Sequence, residues 1–479
     1  MSARWHLLLA LCLAVNMLCA HVEAQTNLVV SEALTKQTPA TQPVQKLTLS
    51  SAIDAAEANY PRTRAALEQR NSAQAAIGIA RSAYYPHADL LWQTNRATAN
   101  NIYGLLLPQG VVPSISGPVI ASDNTRSAWS SAGGTLLSWQ PFDFGLRAAE
   151  VNAAKQGAQV ATAGFALTKL DVAVLTANAY FDLATAEQLA TIAQANVNRW
   201  QVFAETAHVL VDNQLRAGAD AAQADAQLAL ARTQLIQSQT NVEVRRATLG
   251  ELVGSPTVEL DYTQLLTPAP SEQPIAASIA IHPAAQREAA LVSQQEAQLS
   301  VLVHSYAPQF NALASLSGRG AGTELNGVFP GGTNGLAPST MNWAAGVQMT
   351  FSAFDFFRVR AEKRVQAANV RAEQASYAQL VDDLSAGVQQ AQARLAGARQ
   401  AALNTPVELS AAQQSEAQQR ARFQAGLATV VDVAAAESLL VQAEADDAVA
   451  RLNVWRAMAG VAAARGDLTP FLSRLGGRP

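Results

Sequence analysis

The sequence contains a stretch of 72 residues, from Gly145 to Arg216, without a single proline. A continuous helix of that length would extend roughly 100 Å at a rise of about 1.5 Å per residue, which is longer than a globular core accommodates. Its apolar residues recur at alternating steps of three and four, the spacing of helices that pack in coiled coils. They are Leu167, Leu170, Val174, Ala177, Phe181 and Ala184. The chain is therefore predicted to contain very long helices that pack side by side.

Much of the first half of the sequence recurs in the second half. Residues identical at an offset of 222 are Ile53 and Ile275, Pro61 and Pro283, Ala75 and Ala297, Tyr84 and Tyr306, and Pro86 and Pro308. The triplet Phe-Asp-Phe at 142–144 returns at 354–356, and Ala217-Gly218 returns as Ala425-Gly426. On this alignment the first turn is four residues shorter than the second. Each half is predicted to run helix, strand, loop, strand, long helix, turn, helix.

The second long segment, 357–424, and the segments after both turns repeat the helical spacing. The residues concerned are Val381, Leu384, Val388, Ala391 and Leu395, then Ala221, Ala224, Leu228, Ala231, Leu235, Ser238 and Val242, and more weakly Val433, Ala436, Leu440 and Ala443. Segments 50–84 and 220–250 together hold 66 residues, against 72 in the long segment. Two half-length helices are therefore predicted to stack end to end beside one full-length partner.

Between the helices the pattern changes to period two. Trp343, Ala345, Val347, Met349 and Phe351 share one face of segment 342–352, and small or polar residues share the other. Segments 87–97, 127–140 and 309–319 show the same alternation less regularly. Each has about ten residues, the length with which a tilted strand crosses a bilayer.

Four strands cannot close a barrel, and open strand edges are excluded from hydrocarbon because their backbone groups would be unsatisfied. The chain is therefore predicted to oligomerise, and a symmetric trimer would give twelve strands. The periodicity itself does not fix three subunits over two or four.

Residues 1–24 are predicted to be a signal peptide. Arg4 precedes an apolar run from Leu7 to Leu18, and small residues at 22 and 24 suit a cleavage site. The run is shorter than the roughly 20 residues of a membrane-spanning helix; a signal anchor is the alternative. The remaining predicted organisation is a flexible leader at 25–46, a first repeat at 47–266, a second repeat at 267–465 and a C-terminal tail at 466–479.

The composition and motifs exclude several classes of function. A net charge of −4 provides no basic field for nucleic acid. Both cysteines lie within the predicted signal peptide, and the remaining histidines, at 87, 208, 282 and 304, are far apart, so no metal site is expected. The glycines of 318–327 follow a strand but precede no helix, which excludes a phosphate-binding loop. No nucleophile and base stand at catalytic spacing, so we expect neither enzyme activity nor a cofactor.

The ordered motifs resemble those of the TolC-like outer-membrane efflux ducts across residues 47–465. They are LTLSSAIDAAEANYP, ARSAYYP, PFDFGLR, FSAFDFFRVR, RAGADAAQADAQLALARTQL and QAGLATVVDVAAAESLLVQAE. The resemblance implies a mainly α fold with membrane β structure: a homotrimer whose twelve-strand barrel sits in outer-membrane lipid and continues as an α-helical tunnel into the periplasm. It also implies two partners, a periplasmic adaptor (membrane fusion) protein and an inner-membrane transporter, for which the duct conducts substrates passively.

The resemblance further implies two kinds of site residue. The turns would form periplasmic tips where the adaptor docks, with Gly218 and Gly426 supplying the tight reversals. The exposed tip residues would be Arg216, Ala217, Ala219, Leu427, Ala428 and Thr429. Asp432 would contribute to a carboxylate ring at the periplasmic gate, whereas Ala435 stands where the family pattern has a second acid.

Simpler interpretations of these residues remain open. An Ala-Gly pair after a helix is also an ordinary C-cap, and Asp432 and Asp220 could each be N-caps. A rival function, a structural or adhesive coiled-coil protein of the cell envelope, explains the helices and the signal peptide but not the paired amphipathic strands. The sequence identifies neither the substrate nor the transporter class, which could be RND, ABC or MFS.

Overall fold

The computed structural model describes residues 46–98, 127–267, 269, 279–322 and 332–475. The predicted signal peptide, nearly all of the leader and the whole loop between the first two strands, 99–126, lie outside these residues. The main elements, in chain order, are α1 Leu49–Asn59, α2 Pro61–Ser82, β1 His87–Thr98, β2 Ser127–Phe142, α3 Leu146–Asp212, α4 Gly218–Val253, α5 Pro283–His304, β3 Gln309–Ala321, β4 Thr340–Thr350, α6 Phe356–Gln424, α7 Val430–Ala464 and α8 Thr469–Arg474.

The first predicted helix, 50–84, is two helices. Pro61 begins α2 and holds Tyr60 in an extended conformation, with φ −66° and ψ 127°, so α1 ends at Asn59. The prediction overlooked that proline is favoured at the first position of a helix. Pro283 likewise begins α5, after His282 accepts a hydrogen bond from the Ala284 amide at 3.1 Å through its side chain. The second repeat is predicted to have the corresponding helix at 276–306, and residues 276–278 of that segment lie outside the described residues.

The two long helices have the predicted length. α3 has 67 residues and α6 has 69. α6 contains Pro406 and continues through it. The absence of proline that indicated the first long helix therefore does not hold for the second. α4 packs beside α3, and α7 packs beside α6. The predicted alanine seam is buried along both contacts, because Ala224, Ala231 and Ala443 are nearly inaccessible.

The largest core surrounds the middle of α3. Tyr180, Phe181 and Leu183 are completely buried there against residues of α1, α4 and α7. The Tyr180 hydroxyl lies 2.7 Å from the carbonyl oxygen of Asp261, which anchors the segment after α4. The predicted C-terminal tail also joins this core, since Phe471 of α8 is buried and contacts the Trp455 ring.

A charged cluster joins α3 to α7. Arg199 pairs with Glu437, whose side chain is only 3% exposed, and with Glu444 at 3.0 Å. Burial raises the pKa of Glu437, whereas the Arg199 guanidinium acts to lower it. Arg420 of α6 also contacts Glu437, at 3.5 Å. Buried charges require partners at fixed positions, so this cluster sets how the α3–α4 hairpin and the α6–α7 hairpin lie against each other.

The four strands form one antiparallel sheet in the order β1-β2-β3-β4. Leu90 pairs with Thr135, Thr135 pairs with Leu316, and Leu316 pairs with Trp343. The predicted strand segments agree with the observed strands to within two residues at each end. Each strand continues directly into or out of a helix, so the sheet lies at one end of the helical hairpins and the turns lie at the other.

Candidate functional site

One face of the sheet is apolar and exposed. Directly opposed residues in an antiparallel sheet share a face, so the register gives this face successive apolar rows across the four strands. Its members include Leu90, Trp92, Leu137, Trp139, Leu316, Met341, Trp343, Val347 and Met349, all of them exposed. Trp343 is 80% exposed. A water-soluble sheet would cover such a surface, whereas hydrocarbon would solvate it.

The opposite face is largely polar, although Leu91, Leu136 and Leu313 also lie on it. The same register places these side chains together: His87, Asp89, Gln93, Asn95, Ser138, Asn311, Ser315, Arg319, Asn342 and Gln348. Ser130 donates a hydrogen bond to Asn95 across the first strand pair. Apolar and polar faces alternating along each strand are the pattern of a membrane barrel with a wet interior.

The outer edges of the sheet have no partner among the strands that the structure describes. β1 pairs only with β2 and β4 only with β3 among the described strands. Both edges therefore present unpaired backbone N–H and C=O groups next to the apolar face. Such groups cost several kcal/mol each in hydrocarbon, roughly 2 or more per group, so the sheet cannot enter a membrane by itself.

The two turns at the other end of the hairpins have the same length. α3 gives way to α4 across residues 213–217, and α6 gives way to α7 across 425–429. The expectation that the first turn is four residues shorter is wrong. Asn213 corresponds to Ala425 and Asp220 to Asp432, at a constant offset of 212. The Phe-Asp-Phe motifs are also 212 residues apart. Extending that offset through the turn would have given the correct alignment from the sequence.

The same C-capping motif closes both long helices. The amide of Leu215 bonds the Leu210 carbonyl at 2.9 Å, and the amide of Leu427 bonds the Arg422 carbonyl at 2.8 Å. This bond requires a left-handed residue just before it. Gly426 fills that position in the second turn with φ 79°, but Gln214 fills it in the first with φ 61°.

Gly218 does not make the reversal that the sequence predicted. It is the first residue of α4 and lies outside the left-handed region. The prediction assumed that a left-handed position requires glycine, whereas the structure places a glutamine there at an energetic cost.

Arg216 joins the two turns. Its Nη2 donates to the carbonyl oxygens of Phe423, at 2.6 Å, and Ala428, at 3.0 Å. The guanidinium carbon lies 4.4 Å from the centre of the Phe423 ring. The Asp220 carboxylate lies 3.6 Å from Arg216 Nη1. The expectation that Arg216 is exposed for docking is therefore wrong, and so is that for Ala428, which is buried. No sequence pattern indicated this contact, because its partners are carbonyl groups 207 and 212 residues away.

The remaining tip residues are exposed. They are Ala217, Gly218, Ala219, Gly426, Leu427 and Thr429. Sequence reasoning missed Leu215, which occupies the same position in the first turn as Leu427 in the second. The two leucine side chains are 69% and 71% exposed. Each turn thus presents one large apolar side chain to solvent.

Asp432 is exposed and also caps α7. Its carboxylate accepts hydrogen bonds from the Thr429 amide and hydroxyl, both at 2.8 Å, while the Thr429 hydroxyl accepts from the Asp432 amide. The bond from the Thr429 amide is the main cause that lowers the pKa of Asp432. Because the folded-state pKa is lowered, the cap is intact at neutral pH and is lost only as the pH falls through that lowered value. Asp220 is not an N-cap, since Ala217 holds that position.

No group of His, Cys, Asp and Glu within the described ranges could hold a metal ion. His208 instead pairs with Asp225 at 3.0 Å on the first hairpin. Among the described elements, an amphipathic sheet is continued by long paired helices, which is an architecture typical of a membrane channel.

Solved outer-membrane channels share this fold. CmeC of Campylobacter jejuni is 16% identical with a TM-score of 0.69, and the match covers 90% of each chain. VceC of Vibrio cholerae is 17% identical with a TM-score of 0.68, covering 88% of this chain and 96% of that one. The open state of the MtrE channel of Neisseria gonorrhoeae is 18% identical with a TM-score of 0.65, covering 88% and 89%. No curated protein matches the chain by sequence at a significant level.

Residues 52–255 and 277–467 match the outer membrane efflux protein family, and the chain belongs to that family. It is an efflux channel of the outer membrane. The family is one of channels and not of enzymes. Nothing in these findings favours the rival of a coiled-coil envelope protein without a pore.

The two turns should respond oppositely to substitution. We expect Gln214→Gly to raise the free energy of unfolding by roughly 0.5–1 kcal/mol, because glycine adopts the left-handed conformation without a steric penalty. Gly426→Ala should lower it by about 1 kcal/mol for the converse reason. Thermal unfolding followed by circular dichroism measures both changes.

Gly218→Ala is the matched control for this prediction. A Cβ at that position would meet no atom within 4 Å, and the residue begins a helix, so little or no loss of stability is expected. A loss in Gly218→Ala equal to that in Gly426→Ala would contradict the assigned turn geometry.

Proposed function

We propose that the chain works as a homotrimer that forms the outer-membrane duct of a tripartite export system. Three four-stranded sheets would close into one twelve-strand barrel, and the helical hairpins would continue it as a tunnel toward an inner-membrane transporter. Substrates would pass through passively, driven by that transporter. The observation that carries this proposal is the sheet with one exposed apolar face, one polar face and two unpaired edges.

The barrel follows from the geometry of the edges. If β4 of one subunit pairs with β1 of the next, every edge backbone group gains a partner and the barrel has no free edge. The apolar rows that contain Trp92 and Trp343 would then face lipid, and the polar face would line a water-filled lumen. Even strand numbers are usual in bacterial barrels, which any whole number of four-stranded subunits satisfies; the choice of three subunits comes from the resemblance to the TolC-like ducts.

The tips are the proposed docking surface for a periplasmic adaptor protein. Leu215 and Leu427 repeat at equivalent positions, so a trimer would present six exposed leucines at its periplasmic end. Ala217, Ala219 and Thr429 border them with small side chains that leave room for a helical hairpin of the adaptor. Arg216 supports this surface from beneath by holding the two turns together.

Asp432 is proposed to contribute to a gate as well as to cap α7. Its side chain is exposed although its carboxylate is hydrogen bonded to Thr429. Three such carboxylates around a threefold axis would attract cations and repel one another. Ala435 adds no second carboxylate, so this gate would depend on a single acidic ring.

Conductance tests the proposed function directly. We expect the purified protein to be trimeric in detergent and to give discrete, cation-preferring current steps in planar lipid bilayers. Light scattering with detergent correction gives the subunit number, and single-channel recording gives the conductance. A monomer that produces no current steps would contradict the proposal.

Substitution at Asp432 tests the gate. Asp432→Asn keeps an acceptor for the Thr429 amide but removes the charge, so the preference for cations over anions should fall. Thr429→Ala is the matched control, because it removes the capping hydroxyl and leaves the carboxylate in place. If Thr429→Ala changes the ion preference as much as Asp432→Asn does, the cap and not the charge is responsible.

A further inference from the structure

Arg319 lies on the polar face of the sheet, far from the helices. It is ten residues beyond the start of β3 at Gln309, where the chain leaves α5. Its neighbours in the register are Ala132 on β2 and Thr340 on β4, and Ala132 in turn pairs with Gln93. None of these neighbours carries a charge, and within the described residues no carboxylate forms an ion pair with Arg319.

The residues on either side of Arg319 are glycines that pack closely against neighbours on the apolar face. A Cβ on Gly318 would lie 2.8 Å from the Met341 sulfur, and a Cβ on Gly320 would lie 2.2 Å from the Ala337 carbonyl oxygen. The Arg319 carbonyl also accepts a hydrogen bond from the Ser339 amide at 2.9 Å. On the apolar face beside Arg319, the space next to Gly318 and Gly320 is filled by Met341 and Ala337. This packing explains why residues 318 and 320 are glycines. The strand alternation places the Arg319 side chain on the polar face.

The other charged strand residues lie elsewhere. Among the described strand residues, Asp89 shares the polar face but lies near the helical end, where His87 pairs with it at 3.0 Å. The register places Arg319 level with Gln93, four residues and about 13 Å along the strand from Asp89. Arg96 lies on the apolar face, where its guanidinium is 5.4 Å from the centre of the Trp129 ring. Within the described strands, the polar face thus carries Arg319 without a carboxylate partner, in the outer half of the sheet.

We propose that Arg319 forms a ring of three positive charges in the lumen near the outer opening and makes the exit favour anionic over cationic solutes. This inference rests on the proposed trimeric barrel. Rings of charged side chains set ion preference because they change the local concentration of each ion in a narrow, water-filled passage. The ring opposes the cation preference of the proposed Asp432 gate and lies at the other end of the duct.

Reversal potentials in a potassium chloride gradient test the assignment. Arg319→Gln should lower the chloride-to-potassium permeability ratio of the intact trimer by about fivefold, because three charges roughly 10 Å from the axis in about 0.1 M salt change the local concentration of each ion by about twofold and in opposite directions. Arg319→Lys should retain the wild-type ratio, because it keeps the charge. Arg96→Gln is the matched control on the apolar face and should leave the ratio unchanged.

The outcomes separate this inference from the proposed function. Trimeric pores whose permeability ratio is the same in wild type and Arg319→Gln would overturn the role of Arg319 and leave the duct intact. An equal change in Arg319→Lys and Arg319→Gln would assign the effect to shape and would also overturn it. A wild-type protein that is monomeric and forms no pores would remove the lumen itself and contradict both proposals.

Discussion

The pairing of backbone groups in hydrocarbon is the constraint on which this structure depends. A sheet with an apolar outer face favours lipid, but lipid offers no partner for the N–H and C=O groups along β1 and β4. Only another strand can supply them. The described residues give four strands to this purpose, and in the proposed trimer the membrane part is complete only when subunits combine. The helices then need to hold each subunit in an orientation that lets the next one join.

The helical part meets that need with small side chains and a few buried charges. Alanines along the seams let helices approach closely, which aligns each hairpin over its whole length. Apolar seams alone tolerate sliding by a heptad, whereas the pairing of Arg199 with Glu437 and Glu444 is satisfied in one alignment only. That alignment brings the two turns together, where Arg216 bonds the backbone of the other hairpin. The arrangement of the two turns therefore depends on the Arg199 cluster, which lies further along the hairpins.

Local periodicity was sufficient to predict the elements that repeat regularly. Strand β4 was read from alternation of Trp343, Val347 and Met349 with polar residues, and the long helices were read from the alternating steps of three and four. The break at Tyr60 was missed because Pro61 was treated as an ordinary helix residue. The first turn was misaligned because glycine was taken as the marker of a left-handed residue, a role that Gln214 fills.

The candidate site was less accessible from the sequence than the fold. Asp432 was identified, but its hydrogen bonds to Thr429 depend on where α7 begins, which the sequence left open between a cap and a gate. The contacts of Arg216 connect residues more than 200 positions apart, and the face occupied by Arg319 follows only from the strand register. Such features require the three-dimensional arrangement, because no local pattern encodes them.

Cross-linking the free edges tests most directly whether subunits complete one another. Both native cysteines lie in the predicted signal peptide, so cysteines can be placed at Gln93 of β1 and, one at a time, at Asn342, Ala344, Gly346 and Gln348 of β4. Within one chain these edges are three strand spacings apart, about 14 Å, which is beyond the roughly 7 Å limit for a disulfide. Our account predicts that at least one pair oxidises to covalent dimers and trimers and to nothing larger. Monomers at every position, in protein shown to be folded in the membrane, would contradict it.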